Sequence, residues 1–100
     1  MISRQWRGVA KPEHADEYVE HLRHTTLPEL LQIEGFISAS IMRRHVDGGV
    51  EFLIATLWDS LEAIERFAGP DLERAVVPER VQQMMVEFDR HARHYDVIPS

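Results

Sequence analysis

The chain predicts an α+β fold in which four antiparallel strands make one sheet and helices cover one of its faces. Three observations carry this. Segments of period-two and period-3.6 hydrophobicity follow one another in the order β-α-β-β-α-β. Asp47-Gly48-Gly49 supplies the positive φ angles of a tight hairpin between the second and third strands. In residues 51–69 a strand ending in Trp58 runs directly into a capped helix.

Residues 2–10 read as the first strand, with β-favouring bulk from Trp6 and Val9, and Lys11-Pro12 closes it. Pro12 suits a helix start. Over residues 13–32, Ala15, Tyr18, Val19, Leu22, Thr26 and Leu30 recur at helical spacing and form the buried side, with a kink or a new turn at Pro28. Gly35 breaks the helix. In the second strand, residues 36–45, Ile37, Ala39 and Ile41 oppose Phe36, Ser38, Ser40 and Met42. The third strand, residues 50–59, places Phe52, Ile54, Thr56 and Trp58 on one face and Leu53, Ala55 and Leu57 on the other. Both faces are largely apolar, so both need a cover. Asp59 or Ser60 caps the next helix, whose stripe is Leu61, Ile64, Phe67 and Ala68, and Gly69-Pro70 stops it. Pro70 and Pro78 divide residues 70–85 into short helical pieces, and residues 87–97 form an unusually polar last strand.

One hundred residues, 44% of them hydrophobic, fit a single domain spanning residues 1–100. Such a small chain stabilises a two-sided apolar sheet best by pairing with a second copy. The absence of cysteine excludes disulfide and thiolate chemistry. The opening MISRQWRGVA lacks a secretory leader, and no apolar run approaches a membrane span, so a cytoplasmic protein without a membrane role is expected. A formal charge of −6 argues against nucleic acid as a partner. The cluster Arg43-Arg44-His45 falls at a strand end, where charge protects an exposed edge. There is no Gly-x-Ser-x-Gly and no glycine-rich phosphate loop.

The strand RQWRG, the segment IEGFISASIMRR, the passage EFLIATLWDSLEAIERFAG and the closing HYDV together resemble the antibiotic biosynthesis monooxygenase family. That resemblance implies ferredoxin-like subunits that pair as a dimeric α/β barrel, hence a homodimer. It also implies a cofactor-independent oxidation of a small aromatic or quinol-type molecule by O2, with no metal. Such a reaction asks the protein to bind an aromatic ring, favour its anion and keep oxygen close.

Within that expectation Trp58 is the candidate aromatic wall and His94 the candidate base or hydrogen-bond donor. Arg4 and Trp6 share a face of the first strand and offer a charge and a ring surface to a substrate. Ser40 and Thr56, with Ser38, interrupt apolar strands with small hydroxyls. Tyr95 is a further substrate-contact candidate, although alternation points it away from His94. Each also has an ordinary reading: a core or interface Trp for Trp58, an interface hydrogen bond for His94, a rim Arg and a central Trp for Arg4 and Trp6.

His14, Glu17, His21 and His24 follow a 3-4-3 spacing on one side of the first helix and read as a solvated face rather than a metal seat. His91 and His94 face opposite ways if they share one strand. The resemblance also brings in haem degraders, which rely on an axial His after the central helix and an Asn on the first strand. Residues 60–85 contain no His, and Arg4 or Gln5 stands where that Asn would be. Haem degradation is therefore the weaker alternative. A dimeric binding module without catalysis is the stronger one, and a ligand-free interface a further one.

Overall fold

The computed structural model describes residues 1–100 and confirms the antiparallel sheet with helices on one face. β1 (Ile2–Ala10) lies inside the sheet, paired along its whole length with β3 (Gly49–Trp58), while β2 (Phe36–Val46) forms one edge beyond β3. Two short strands share the far side of β1: β4 (Met85–Phe88) pairs with residues 8–10, and β5 (Arg93–Asp96) with residues 2–5. Asp47 and Gly48, the latter at φ 81°, make the β2–β3 turn.

The expected single last strand is therefore a broken one. Asp89 still donates its N–H to Arg7 O at 2.9 Å, but its carbonyl accepts the indole N–H of Trp6 at 2.8 Å. The chain then swings away from β1. Arg90 O accepts from Ala75 N at 3.0 Å, and Ala92 N donates to Glu73 O at 2.7 Å. The unusual polarity of residues 89–91 marks this excursion. His91 and His94 thus belong to different stretches, and strand alternation does not relate them. The same pairing holds residues 70–78 as an irregular strap across the helix-covered side, where short helical pieces were expected. Only α4 (Glu79–Met84) is helical there.

The first helical run is continuous but not uniform. A 3-10 turn, Pro12–His14, leads into α1 (Ala15–His21), then a π-helical segment, Leu22–Thr26, then α2 (Leu27–Leu31). Pro28 begins the last of these, where a missing N–H costs least. The buried set is Ala15, Tyr18, His21, Leu22 and Leu30. His21 was expected on the solvated face; instead it shares the inner face with Tyr18, three residues before it. The other members of the 3-4-3 set pair at the surface: His14 with Glu17 at 2.7 Å, and His24 with Glu20 at 2.8 Å. α3 (Leu61–Ala68) is capped by Ser60, whose hydroxyl accepts from Ala63 N at 3.2 Å, and ends at Gly69.

Two core clusters sit between sheet and helices. One joins Tyr18, Leu22, Phe52, Val81 and Met84 with their neighbours; the other joins Leu30, Trp58, Ala63 and Ile64. Trp6 packs beside the first. Its indole lies against Gly8, where a Cβ would come within 2.5 Å of the ring. Gly8→Ala is therefore expected to push Trp6 off the sheet and cost about 1–3 kcal/mol. Urea unfolding would read the cost, and a change in Trp fluorescence would place it at the indole.

The opposite face of the sheet carries no helix. Met42, Leu53 and Tyr95 lie there, 45%, 36% and 48% exposed. A paired group, Arg7 and Arg44 each 2.6 Å from Glu51, occupies one end of that face. Arg43 reaches Asp16 at 3.2 Å, so two of the three members of the basic cluster are engaged within the chain. A bulge at Ile37 sets the register of β2, putting Phe36 opposite Trp58 and Ser40 opposite Ala55. No helix is long and apolar enough to cross a membrane.

Candidate functional site

The space left between the two core clusters is a cavity of about 80 Å3. The sheet contributes Arg4, Trp6, Ile54 and Thr56, the first helical run Tyr18, His21, Leu22, Thr26 and Leu30, α3 Phe67, and the strap Ala75 to Pro78. Three aromatic rings face one small volume. Residues 75–78 and Phe67 also border an open groove of about 890 Å3 on the strap's other side. An apolar cavity accepting benzene is roughly 150 Å3. The cavity as it stands is smaller than that.

Arg4 is the chemical centre of this wall. It is 5% exposed, and no Asp or Glu lies within 4.0 Å of its guanidinium. Nη1 donates to Leu72 O and to His94 Nε2 at 2.8 Å, and Nη2 donates to Arg74 O at 2.8 Å. Two of its five N–H donors are left over. The guanidinium carbon stands 5.7 Å from the centroid of Phe67. Burial lowers its pKa from the ordinary value, and nothing opposes that. A buried cation held only by carbonyls and a neutral imidazole attracts an anion, because none of its partners balances the charge.

His94 is placed by β5 directly across from Arg4 on β1. Since Arg4 can only donate, His94 Nε2 must accept, and that nitrogen is not free to take a substrate proton. The imidazole does not line the cavity. Its contact with the site is through the guanidinium of Arg4. Its pKa is lowered by burial first and by the Arg4 charge second, with Glu73 opposing. His21 is lowered as well, by burial and then Arg80, against Glu29. Both imidazoles therefore bind a proton less readily when folded than unfolded. Stability is full above the ordinary imidazole value of 6.5 and declines as pH falls below it. Thermal melts at about pH 8 and about pH 5 should show the loss, with part of it removed in His94→Gln.

Trp58 lies behind the wall, fully buried between Phe36 and Phe67. Its indole N–H donates to Thr56 Oγ1 at 2.8 Å, and that hydroxyl donates to Arg4 O at 3.3 Å. The indole thus supports the cavity without lining it, because even-numbered residues of β3 toward its end meet α3 rather than the strap. Ser40 and Tyr95 fall on the open face, away from the cavity, by cross-strand pairing with Ala55 and Ser3. Of the seven candidate residues, Arg4, Trp6 and Thr56 meet on the wall, and His94 and Trp58 stand directly behind it. His21, Tyr18, Phe67 and the strap are additional. His21 and Tyr18 could be linked by their i, i+3 spacing; nothing local in residues 75–78 signals a wall.

This arrangement, a β-α-β-β-α-β sheet with an aromatic cavity under its helices, defines a ferredoxin-like α+β class. Within it, the chain belongs to the antibiotic biosynthesis monooxygenase family, whose model matches residues 1–78. A Bacillus cereus structure described as an antibiotic biosynthesis monooxygenase is 22% identical, with 99% of this chain and 94% of that one covered and a TM-score of 0.66. The Streptomyces coelicolor monooxygenase ActVA-Orf6, solved with Nanaomycin D, is 18% identical over 99% of this chain and 91% of that one, at 0.60. MhuD with two manganese protoporphyrins per active site is 17% identical over 100% and 97%, at 0.62. At these identities the three share the fold. No curated protein matches the sequence. The porphyrin of the last is far larger than this cavity, which is smaller than one that accepts a single ring, and no His lies in residues 60–85.

Proposed function

We propose that this protein is a monooxygenase that oxidises a small phenolic or quinol-type aromatic with O2, using no metal or organic cofactor. The observation that carries this is Arg4, a buried cation without a carboxylate, on the wall of a cavity built mainly from Trp6, Tyr18, Phe67 and aliphatic side chains, with His21, Thr26 and Thr56 as its other polar members. An aromatic ring meets aromatic walls, and its ionised oxygen meets the two unused guanidinium N–H groups. A phenolate is a far better electron donor to oxygen than the phenol. By holding that anion in a dry site, Arg4 lowers the barrier to the step in which the substrate itself reduces O2. His94 and the carbonyls of Leu72 and Arg74 keep the guanidinium aimed, so little reorganisation accompanies reaction.

A non-catalytic binding module requires only the apolar part of this cavity. The convergence of Arg4 and His21 on it favours chemistry. Oxygen uptake by the metal-free protein with anthrones, quinols and catechols tests the choice. Turnover without additives that collapses in Arg4→Met supports the enzyme, and tight binding of the panel without uptake supports the module.

The uncovered sheet face is the surface on which a second copy packs in this reading, sheet against sheet. Leu53, Leu57 and Met42 supply its apolar area, rimmed by the Arg7–Glu51–Arg44 group. Leu53→Asp should then sediment as a monomer where the parent chain sediments as a dimer.

A further inference from the structure

His21 brings an unused nitrogen to the cavity. The residue is 8% exposed and lines the cavity from the end of α1. Its ring stacks on Tyr18, with centroids 6.4 Å apart and 14° between planes, and Tyr18 is fixed in turn by an edge contact with Phe52 at 4.9 Å. Nδ1 is the one buried side-chain nitrogen or oxygen in the protein without a hydrogen-bond partner. Leaving such an atom unpaired is costly, and the residue that carries it lies on the cavity wall. The residue also sits immediately before the π-helical segment Leu22–Thr26, a departure from regular helix that is frequent at functional positions.

The hydroxyls of Tyr18 and Thr26 also line the cavity and can donate as well as accept; the remaining polar groups of the site are committed. Arg4 can only donate. His94 Nε2 accepts from Arg4, and Thr56 Oγ1 accepts from Trp58 and donates to Arg4 O. We propose that His21 accepts the hydroxyl hydrogen of the aromatic ligand at Nδ1, on the helix side of the cavity, while Arg4 holds ligand oxygen from the sheet side. This rests on the aromatic-substrate reading above. Full transfer breaks the O–H bond, leaves its electron pair on oxygen and puts the proton on Nδ1. Around His21, burial first and Arg80 on α4 second disfavour that imidazolium, Glu29 on α2 favours it, and Tyr18 beside it stays neutral. The resting contact is therefore a neutral hydrogen bond.

Phenol and toluene separate the hydrogen bond from ring burial, since they differ by one hydroxyl. Calorimetric titration of the intact protein should show phenol bound more tightly than toluene. His21→Phe, which keeps a ring against Tyr18, should weaken phenol about tenfold and leave toluene unchanged. His21→Asn, whose side-chain oxygen falls near the position of Nδ1, should restore most of the difference. The 15N shift of His21 Nδ1 should move with phenol and not with toluene. Equal phenol affinity in the parent and His21→Phe, with Nδ1 unmoved, overturns the assignment to His21 alone. Failure of the parent to bind either ligand overturns the cavity reading and the assignment with it.

Discussion

Arg4→Met is expected to lower turnover by about 10²- to 10³-fold, the usual effect of removing one charge-stabilising group from a dry site. It should also destabilise the fold by about 1–3 kcal/mol. The two losses have different origins. Met fills most of the aliphatic volume of Arg, but it leaves Leu72 O, Arg74 O and His94 Nε2 without their donor. Those carbonyls belong to the strap, so the strap loosens along with the loss of charge. Arg4→Lys separates the contributions, because an ammonium keeps the charge and cannot span three acceptors as a planar fork does. Oxygen uptake should recover in part in the Lys variant, while urea stability should remain close to that of Met. If turnover in both variants merely followed stability, Arg4 would be a strut for the strap and not a group that meets substrate.

Trp58→Ala should remove a large share of the folding stability. Removing a fully buried indole costs about 3–5 kcal/mol, out of a total of about 5–15 for a domain of this kind. The cavity left behind would open against Leu30, Ile64, Phe36 and Phe67. Trp58→Phe is the informative change. It keeps ring packing, removes the donor to Thr56 Oγ1, and should cost about 1–2 kcal/mol while phenol affinity stays within about twofold. Calorimetric titration beside urea unfolding checks both numbers. A large loss of phenol affinity in a well-folded Phe variant would return the indole to the cavity wall.

Much of this architecture was legible in the sequence. The Asp47-Gly48-Gly49 turn, the Ser60 cap and the Gly69 stop each combine a residue type with a backbone requirement, and each stands where that requirement falls. Arg4, Trp6 and Thr56 were legible for a similar reason, since strand alternation puts even-numbered residues of β1 and β3 on one face. The last strand was misjudged because alternation assumes an unbroken ladder. Trp6 takes the carbonyl of Asp89, and the chain after it pairs with the strap, a contact between residues far apart in sequence. The strap itself is held by long-range hydrogen bonds to Arg4 and residues 90–92, and no local pattern encodes these. His21 was missed because its spacing from His14, Glu17 and His24 was weighed above its spacing from Tyr18. A polar side chain on an inner face becomes visible only once that face is known.

The proposed function puts the site between sheet and helices, on the Arg4 face, and NOE mapping of bound phenol tests this most directly. Cross-peaks from phenol ring protons to Trp6, Phe67 and Leu30 are the expected result, since these line the cavity. Cross-peaks instead to Tyr95, Leu57 and Leu53, on the uncovered face, would contradict the account and move the binding site to the other side of the sheet.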